Sequence, residues 1–322
     1  RESKLSTIVK SQAPSNLALI KYMGKIEGLG NRPTNPSLSW TLNHLRSEVE
    51  ISPTVGPDRW EGRSNFQLTA KGLEKFLKHF HFLKEKWKVE GNFLIRSWNN
   101  FPSDCGLASS ASSFAALTKA AAETFQGLQP QPWGQDSLEL SRLSRWGSGS
   151  SCRSFFSPWA LWKGEGAEPI DLSLKLHHAV LILENTPKKV SSSEAHRRVV
   201  SSPVFQGRVR RAEKKLEDLI SAIRSQDWKM GYEIVWDEFE DMHELFQTSI
   251  PPFGYITPQA REILQFCRNE WKKQGHGPWV TLDAGPNIHF LFENEDLKWA
   301  QTYLSRFSNH PSLVSWKVQG AP

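Results

Sequence analysis

Apolar positions along this chain follow helical spacing in some stretches and strand spacing in others. In residues 67–88, Leu73, Phe76, Leu77, Phe80 and Leu83 recur every three or four positions and predict an amphipathic helix. The Ala-rich run from Ala115 to Glu123 predicts a second helix, and residues 138–146 a short third one. Alternation or β-branched content predicts strands at 6–13, 47–55 and 92–98, and the continuous apolar run at 179–184 has buried-strand length. Beyond a stretch rich in Ser and Pro, helices are predicted at 206–228, 230–247 and 258–273, the last opened by Thr257 and Pro258. Strands at 279–283, 287–293 and 313–318 close the chain, with Ile288, Phe290 and Phe292 alternating against His289, Leu291 and Glu293. This order predicts an α+β protein of two domains, residues 1–185 and 186–322.

Composition narrows the class. With 322 residues, 23% charged and 38% apolar, the chain can bury a large core and is not of disordered composition. No apolar stretch approaches a membrane span and the N-terminus has no signal-peptide pattern, so no membrane partner is expected. The fourteen tryptophans are scattered without a repeat period. The three cysteines (Cys105, Cys152 and Cys267) are odd in number and form no Cys-x-x-Cys pair, which argues for a reducing cytoplasm and against a thiolate metal site. The ten histidines are also scattered, and His79 and His81 are expected on a helix surface.

The net charge of +6 raises the question of nucleic acid. The densest basic run, residues 196–215, carries one aromatic residue, Phe205, and is interrupted by Glu213. Ala212, Leu216, Leu219, Ile220 and Ile223 recur at helical spacing through it, so its basic residues are expected on a solvated helix face. No nucleic-acid partner follows.

Candidate chemistry lies in loops of small and polar residues. The segment Phe101-Pro-Ser-Asp-Cys-Gly-Leu-Ala-Ser-Ser-Ala-Ser-Ser113 precedes the Ala-rich helix. Such a loop can turn backbone N–H groups toward an anion, with the helix dipole behind them and the Ser109 and Ser110 hydroxyls as further donors. A Ser-rich turn that simply caps a helix has the same composition. In Ala13-Pro-Ser-Asn-Leu-Ala-Leu-Ile-Lys-Tyr-Met-Gly-Lys25, Lys21 and Lys25 would share one face if the stretch were helical, suiting a multiply charged anion. Arg32-Pro-Thr-Asn-Pro-Ser-Leu-Ser39 is a Pro-punctuated loop rich in hydrogen-bonding groups. Gly147-Ser-Gly-Ser-Ser-Cys-Arg153 places an arginine where it can grip a carboxylate, and Asp283-Ala-Gly-Pro-Asn287 carries a carboxylate off a strand end into a turn. Each segment alone also reads as an ordinary loop or cap.

Together, in this order, these segments resemble the signatures of the diphosphomevalonate decarboxylase family of the GHMP kinase superfamily, from about residue 7 to the C-terminus. The resemblance implies a ribosomal protein S5 domain 2-like N-terminal domain, a GHMP C-terminal α/β-sandwich domain and an active site in the cleft between them. It implies ATP-dependent decarboxylation of (R)-mevalonate 5-diphosphate, with ATP and Mg²⁺ required and the metal held largely by phosphate oxygens. Carried over by motif, Gly106, Leu107, Ala108, Ser109 and Ser110 belong to the ATP phosphate loop, with Ser97 and Asn99 near the adenine. Asp283 faces the C3 hydroxyl as a base or an orienting group, and Lys21 lies close by. Arg153 with Asn16 holds the C1 carboxylate, while Tyr22, Lys25 and Ser150 bind the diphosphate. A cytoplasmic homodimer is implied as well. The same fold also serves phosphomevalonate decarboxylases and mevalonate kinases, and a catalytically silent binding module is the remaining alternative.

The sequence departs from that pattern in places. Asp104 stands in the phosphate loop where a small neutral residue is usual, Met23 stands where many relatives carry Trp, and Ser157-Pro158 replaces a Gly-Gly pair. The arginine the family uses for the diphosphate has no clear counterpart, which leaves Arg59, Arg63 and Lys71 as candidates and the monophosphate as an alternative substrate.

Overall fold

The computed structural model describes residues 7–63, 66–101, 109–183, 188–294, 297–308 and 315–318. The first sheet is built on two long antiparallel strands, β1 (Val9–Ile20) and β2 (Ser37–Pro53). β1 runs along one edge of β2, so β3 (Arg59–Gly62) with β4 (Phe93–Asn99) and the β5 (Trp159–Lys163)–β6 (Gly166–Pro169) hairpin share the other. β1 extends well past the predicted strand at 6–13. Pro14, which cannot donate to a ladder, sits at a register shift, and from there the strand buries Ser15, Asn16 and Leu17.

Helices α1 (Ala70–Trp87), α2 (Ser109–Leu128) and α3 (Ser137–Gly147) belong to this half. Thr69 caps α1 by accepting from the Gly72 N–H, and Asp136 caps α3 in the same way. The buried alanines of α2 (Ala115, Ala116, Ala120, Ala121 and Ala122) give it a small-residue face that packs closely against β1 and β2. His79 corrects an expectation: it is buried in α1, its Nε2 3.0 Å from the Thr118 hydroxyl, and burial lowers its pKa to about 3. Thr118 lies far along the chain, so helical period alone could not reveal this partner.

The second sheet has the order β10 (Ser315–Val318), β7 (Leu176–Ile182), β9 (Ile288–Glu293), β8 (Trp279–Thr281). β7 thus pairs only within this sheet, ahead of residue 185. The alternation in β9 does not mark an exposed face, because all of it except Glu293 is buried. Helices α4 (Ser192–Arg198), α5 (Arg208–Arg224), α6 (Trp228–Gln247), α7 (Pro258–Gln274) and α8 (Leu297–Ser305) complete this half. One apolar core joins the two halves: Leu17, Leu38 and Trp40 of the first sheet are continuous with Leu181, Phe239 and Ile288.

The basic run at α5 is a second correction. Arg208 is fully buried and bonds Glu238 and Asp241 of α6, and Arg211 and Lys215 also reach Asp241. Only part of this face is solvated. No helix among the described residues is long and apolar enough to cross a membrane.

Candidate active site

A cavity of about 400 Å³ opens between the halves. Its centre is formed where β1 ends and the β8–β9 turn approaches. Lys21, the residue after β1, is 1% exposed, and its Nζ donates to Asp283 Oδ1 at 2.7 Å. Burial alone would raise the Asp283 pKa, but the Lys21 ammonium, with help from His289 and Arg153, holds the carboxyl below its usual range. Burial lowers the Lys21 pKa, and Asp283 opposes that shift. The Asp283 carbonyl accepts from His243 Nε2 at 3.1 Å, which gives this buried histidine of α6 a structural role in fixing the turn.

Arg153 comes from the 3₁₀ segment Gly149–Phe155. Its Nε donates to Asn16 Oδ1 at 3.0 Å and its Nη1 to the Ser37 hydroxyl at 2.7 Å, which aims the guanidinium across the end of the first sheet. Asn16 in turn donates to the Ser150 carbonyl at 3.1 Å and to the Ser154 hydroxyl at 2.8 Å. Tyr22 packs between the rings of Trp162 and His196 and against Gly149, where an added Cβ would come within 2.7 Å of the Tyr22 hydroxyl oxygen. His196 accepts from the Gly24 N–H at 3.0 Å, and burial holds it neutral with a pKa near 3.

Lys21 and Lys25 do not share a helix face. Lys25 lies beyond β1 in a bridge with Pro33, its Nζ 3.1 Å from Asn31 Oδ1. The sheet pairing of β1 with β2 prevails over the apolar spacing of residues 17–20, yet both lysines still line the cavity.

At the other end of the cavity, α2 begins at Ser109, and Ser109, Ser110 and Asn99 line the wall. Ser110 Oγ accepts from Ser148 Oγ at 3.3 Å, and Asn99 Oδ1 accepts from Ser47 Oγ at 2.6 Å. Ser97 is set apart from this lining: it is buried in β4 and accepts from Trp60 Nε1 at 2.8 Å. Asp104, Gly106, Leu107 and Ala108 lie outside the described residues.

Of the candidates for a diphosphate cation, Lys71 lines the cavity, whereas Arg59 pairs with Glu61 and Arg63 stacks over Trp98. Sequence reasoning missed Lys75 and Lys188. Lys75 follows Lys71 by four positions on α1, and the cleft walls together with Lys25 and Lys71 lower its pKa to about 8. The spacing from Lys71 was the available signal. Lys188 reaches the Ala284 carbonyl at 2.8 Å, beside Asp283. Among the described residues no cluster of three or more His, Cys, Asp or Glu could hold a metal.

Two α+β halves joined by a common core, with a cation-lined cleft between them and a helix N-terminus at one end, define the GHMP kinase class of fold. Within that class, residues 13–171 match the diphosphomevalonate decarboxylase-like N-terminal domain and residues 178–320 the mevalonate 5-diphosphate decarboxylase C-terminal domain. A mevalonate diphosphate decarboxylase from Legionella pneumophila superposes with a TM-score of 0.89 at 42% identity, over 97% of this chain and 100% of that one. The structure of MDDEF in complex with MVAPP, AMPPCP and magnesium gives a TM-score of 0.85 at 29% identity, over 98% and 100%. The diphosphomevalonate decarboxylase of Ganoderma lucidum is 32% identical over 89% of this chain and 79% of its own length. The chain belongs to the diphosphomevalonate decarboxylase family.

Proposed function

We propose that this protein converts (R)-mevalonate 5-diphosphate and ATP into isopentenyl diphosphate, ADP, phosphate and CO2. The observation that carries the reading is the pair of buried Lys21 and part-exposed Asp283, 2.7 Å apart in the same cavity as Arg153. A tertiary hydroxyl leaves poorly, so the C3 oxygen is first phosphorylated by ATP. Asp283, held ionised, accepts a hydrogen bond from that hydroxyl and orients it, while Lys21 offsets charge on the phosphoryl group in transit. When phosphate departs, positive character builds at C3, and breaking the C1–C2 bond discharges it as CO2. Arg153, positioned by Asn16 and Ser37, holds the C1 carboxylate in line for that step.

Tyr22, Lys25 and Ser150 are assigned to the substrate diphosphate, with Lys71 and Lys75 supplying the charge for which sequence offered no arginine. The donors at the start of α2 and Lys188 fit an ATP triphosphate, with Asn99 on the adenine side. A bound magnesium ion would neutralise triphosphate charge and be held mainly by phosphate oxygens, in keeping with Asp283 being the one carboxylate among the described residues of the cavity wall. The MDDEF complex, which carries MVAPP, AMPPCP and magnesium together, supports this pairing of ligands. The change of sheets between β6 and β7 favours a domain division just before Leu176. A cytoplasmic homodimer rests on the family resemblance alone.

The test is release of labelled CO2 from (R)-[1-14C]mevalonate 5-diphosphate with ATP and Mg²⁺. Faster turnover of the monophosphate would move the assignment to a phosphomevalonate decarboxylase. ADP formation without CO2 would make the protein a kinase, and silence with every substrate a binding module.

A further inference from the structure

The peptide unit of Lys21 is gripped from the opposite half of the molecule. Its backbone N–H donates to Glu238 Oε1 at 2.9 Å, and its carbonyl accepts from Arg208 Nη2 at 3.0 Å. Asn35 Nδ2 reaches the same carbonyl at 2.9 Å from the near side. Glu238 and Arg208 are both 0% exposed and bond each other through two guanidinium nitrogens, with Asp241 as a further partner. Lys21 directly follows β1, whereas Arg208 begins α5 and Glu238 lies within α6.

A buried ion pair is a poor source of net stability, because losing water from both ions offsets their attraction. It does supply rigid, directional contacts. Here one carboxylate oxygen and one guanidinium nitrogen fix both polar atoms of a single main-chain residue, and a lysine side chain extends from a fixed Cα with four rotatable bonds. Fixing the backbone restricts where the ammonium can reach.

We propose that Arg208 and Glu238 are positioning residues for Lys21, a buried clamp from the C-terminal half that sets the Lys21 ammonium against Asp283 and makes the catalytic pair depend on docking of the two halves. The inference rests on the decarboxylase reading for the role of Lys21. The charged and titratable groups around Lys21 are Asp283 from the β8–β9 turn, Glu238 and His243 from α6, Arg208 from α5 and Arg153 from the 3₁₀ segment. Among these, Asp283 and Glu238 favour the charged ammonium and Arg153 opposes it.

Two variants separate positioning from bulk structure. Glu238→Gln keeps an oxygen for the Lys21 N–H but removes the charge. The double variant Arg208→Met/Glu238→Leu removes both charges while filling the space, and decides the matter if the single variant does not fold. Each is measured for 14CO2 release across pH 6–10 beside a thermal melt. For Glu238→Gln the expected result is an alkaline limb of kcat displaced downward by roughly one pH unit, since Lys21 loses a neighbouring negative charge. For the double variant, kcat is expected to fall roughly 100-fold, as for a misplaced reacting group, with KM for mevalonate diphosphate changed by less than about 3-fold. Folded variants with the wild-type limb and kcat would overturn the proposal, as would losses that track only the unfolded fraction. Absence of CO2 release from the wild-type protein would instead overturn the decarboxylase reading.

Discussion

The two ends of the cavity are built on opposite plans. Around Lys21, Asp283 and Arg153 the polar atoms are bonded to partners in the protein and the ions are paired or tied to fixed oxygens. Around Lys25, Lys71 and Lys75 the cations crowd together: burial first, then Lys25 and Lys71, lower the Lys75 pKa, and no carboxylate opposes them. The first end is organised before substrate arrives, which suits groups that must act on atoms whose charge changes during reaction. The second is a region of unneutralised positive charge, which a polyphosphate completes. Such a region suits binding, with a strength that depends on pH and salt.

That contrast is broken most severely at the paired end. Asp283→Asn leaves the shape but removes the carboxylate, and CO2 release is expected to fall by about 10³-fold, within the range for loss of an acid–base or orienting group. Retained activity would mean that Asp283 is not in the reacting set. Arg153→Lys keeps a cation but loses the fork to Asn16 and Ser37; a drop of roughly 100-fold in kcat is expected in steady-state assays, with a smaller change in KM.

At the open end the expected changes are smaller and fall on binding. Lys75→Met should raise KM for the substrate roughly 10-fold, the effect of about one charge-assisted contact, with kcat little altered. Because the Lys75 pKa is about 8, substrate affinity of the wild-type protein should weaken as pH rises through 8. Calorimetric titration at pH 7 and pH 9 measures this, and an unchanged affinity ratio between wild type and variant would remove Lys75 from the site.

A separate effect concerns stability rather than activity. His79, His196 and His243 are held neutral by burial with pKa values of about 3, whereas an unfolded chain binds their protons near pH 6.5. Folding is thus unaffected by them above pH 6.5 and loses about 1.4 kcal/mol per histidine for each pH unit below it, until the folded groups themselves protonate. Thermal melts at pH 7 and pH 5 should show this loss. His243→Asn should reduce its pH slope if the side chain is as enclosed as its contacts with Asp283 and Phe246 indicate.

Much of this was legible from the chain. α1, α3, α6 and α7 follow from apolar period and caps, and Lys21, Arg153 and Asp283 stood in recognisable segments. What escaped the sequence is non-local. Lys21 follows directly on a strand because β2 pairs with β1, not because of anything within residues 13–25. Arg208 looked solvated because its carboxylate partners lie on a different helix. β5 gave no signal, since a short strand covered on both faces lacks alternation.

The most direct measurement is the pH-dependent release of 14CO2 from (R)-[1-14C]mevalonate 5-diphosphate by the wild-type protein and by Asp283→Asn. Stoichiometric ADP and CO2 from the wild type, with both products lost together in the variant, is the predicted result. ADP without CO2 from the wild type, or full CO2 release by the variant, would contradict the assignment of the Lys21–Asp283 pair to ATP-dependent decarboxylation.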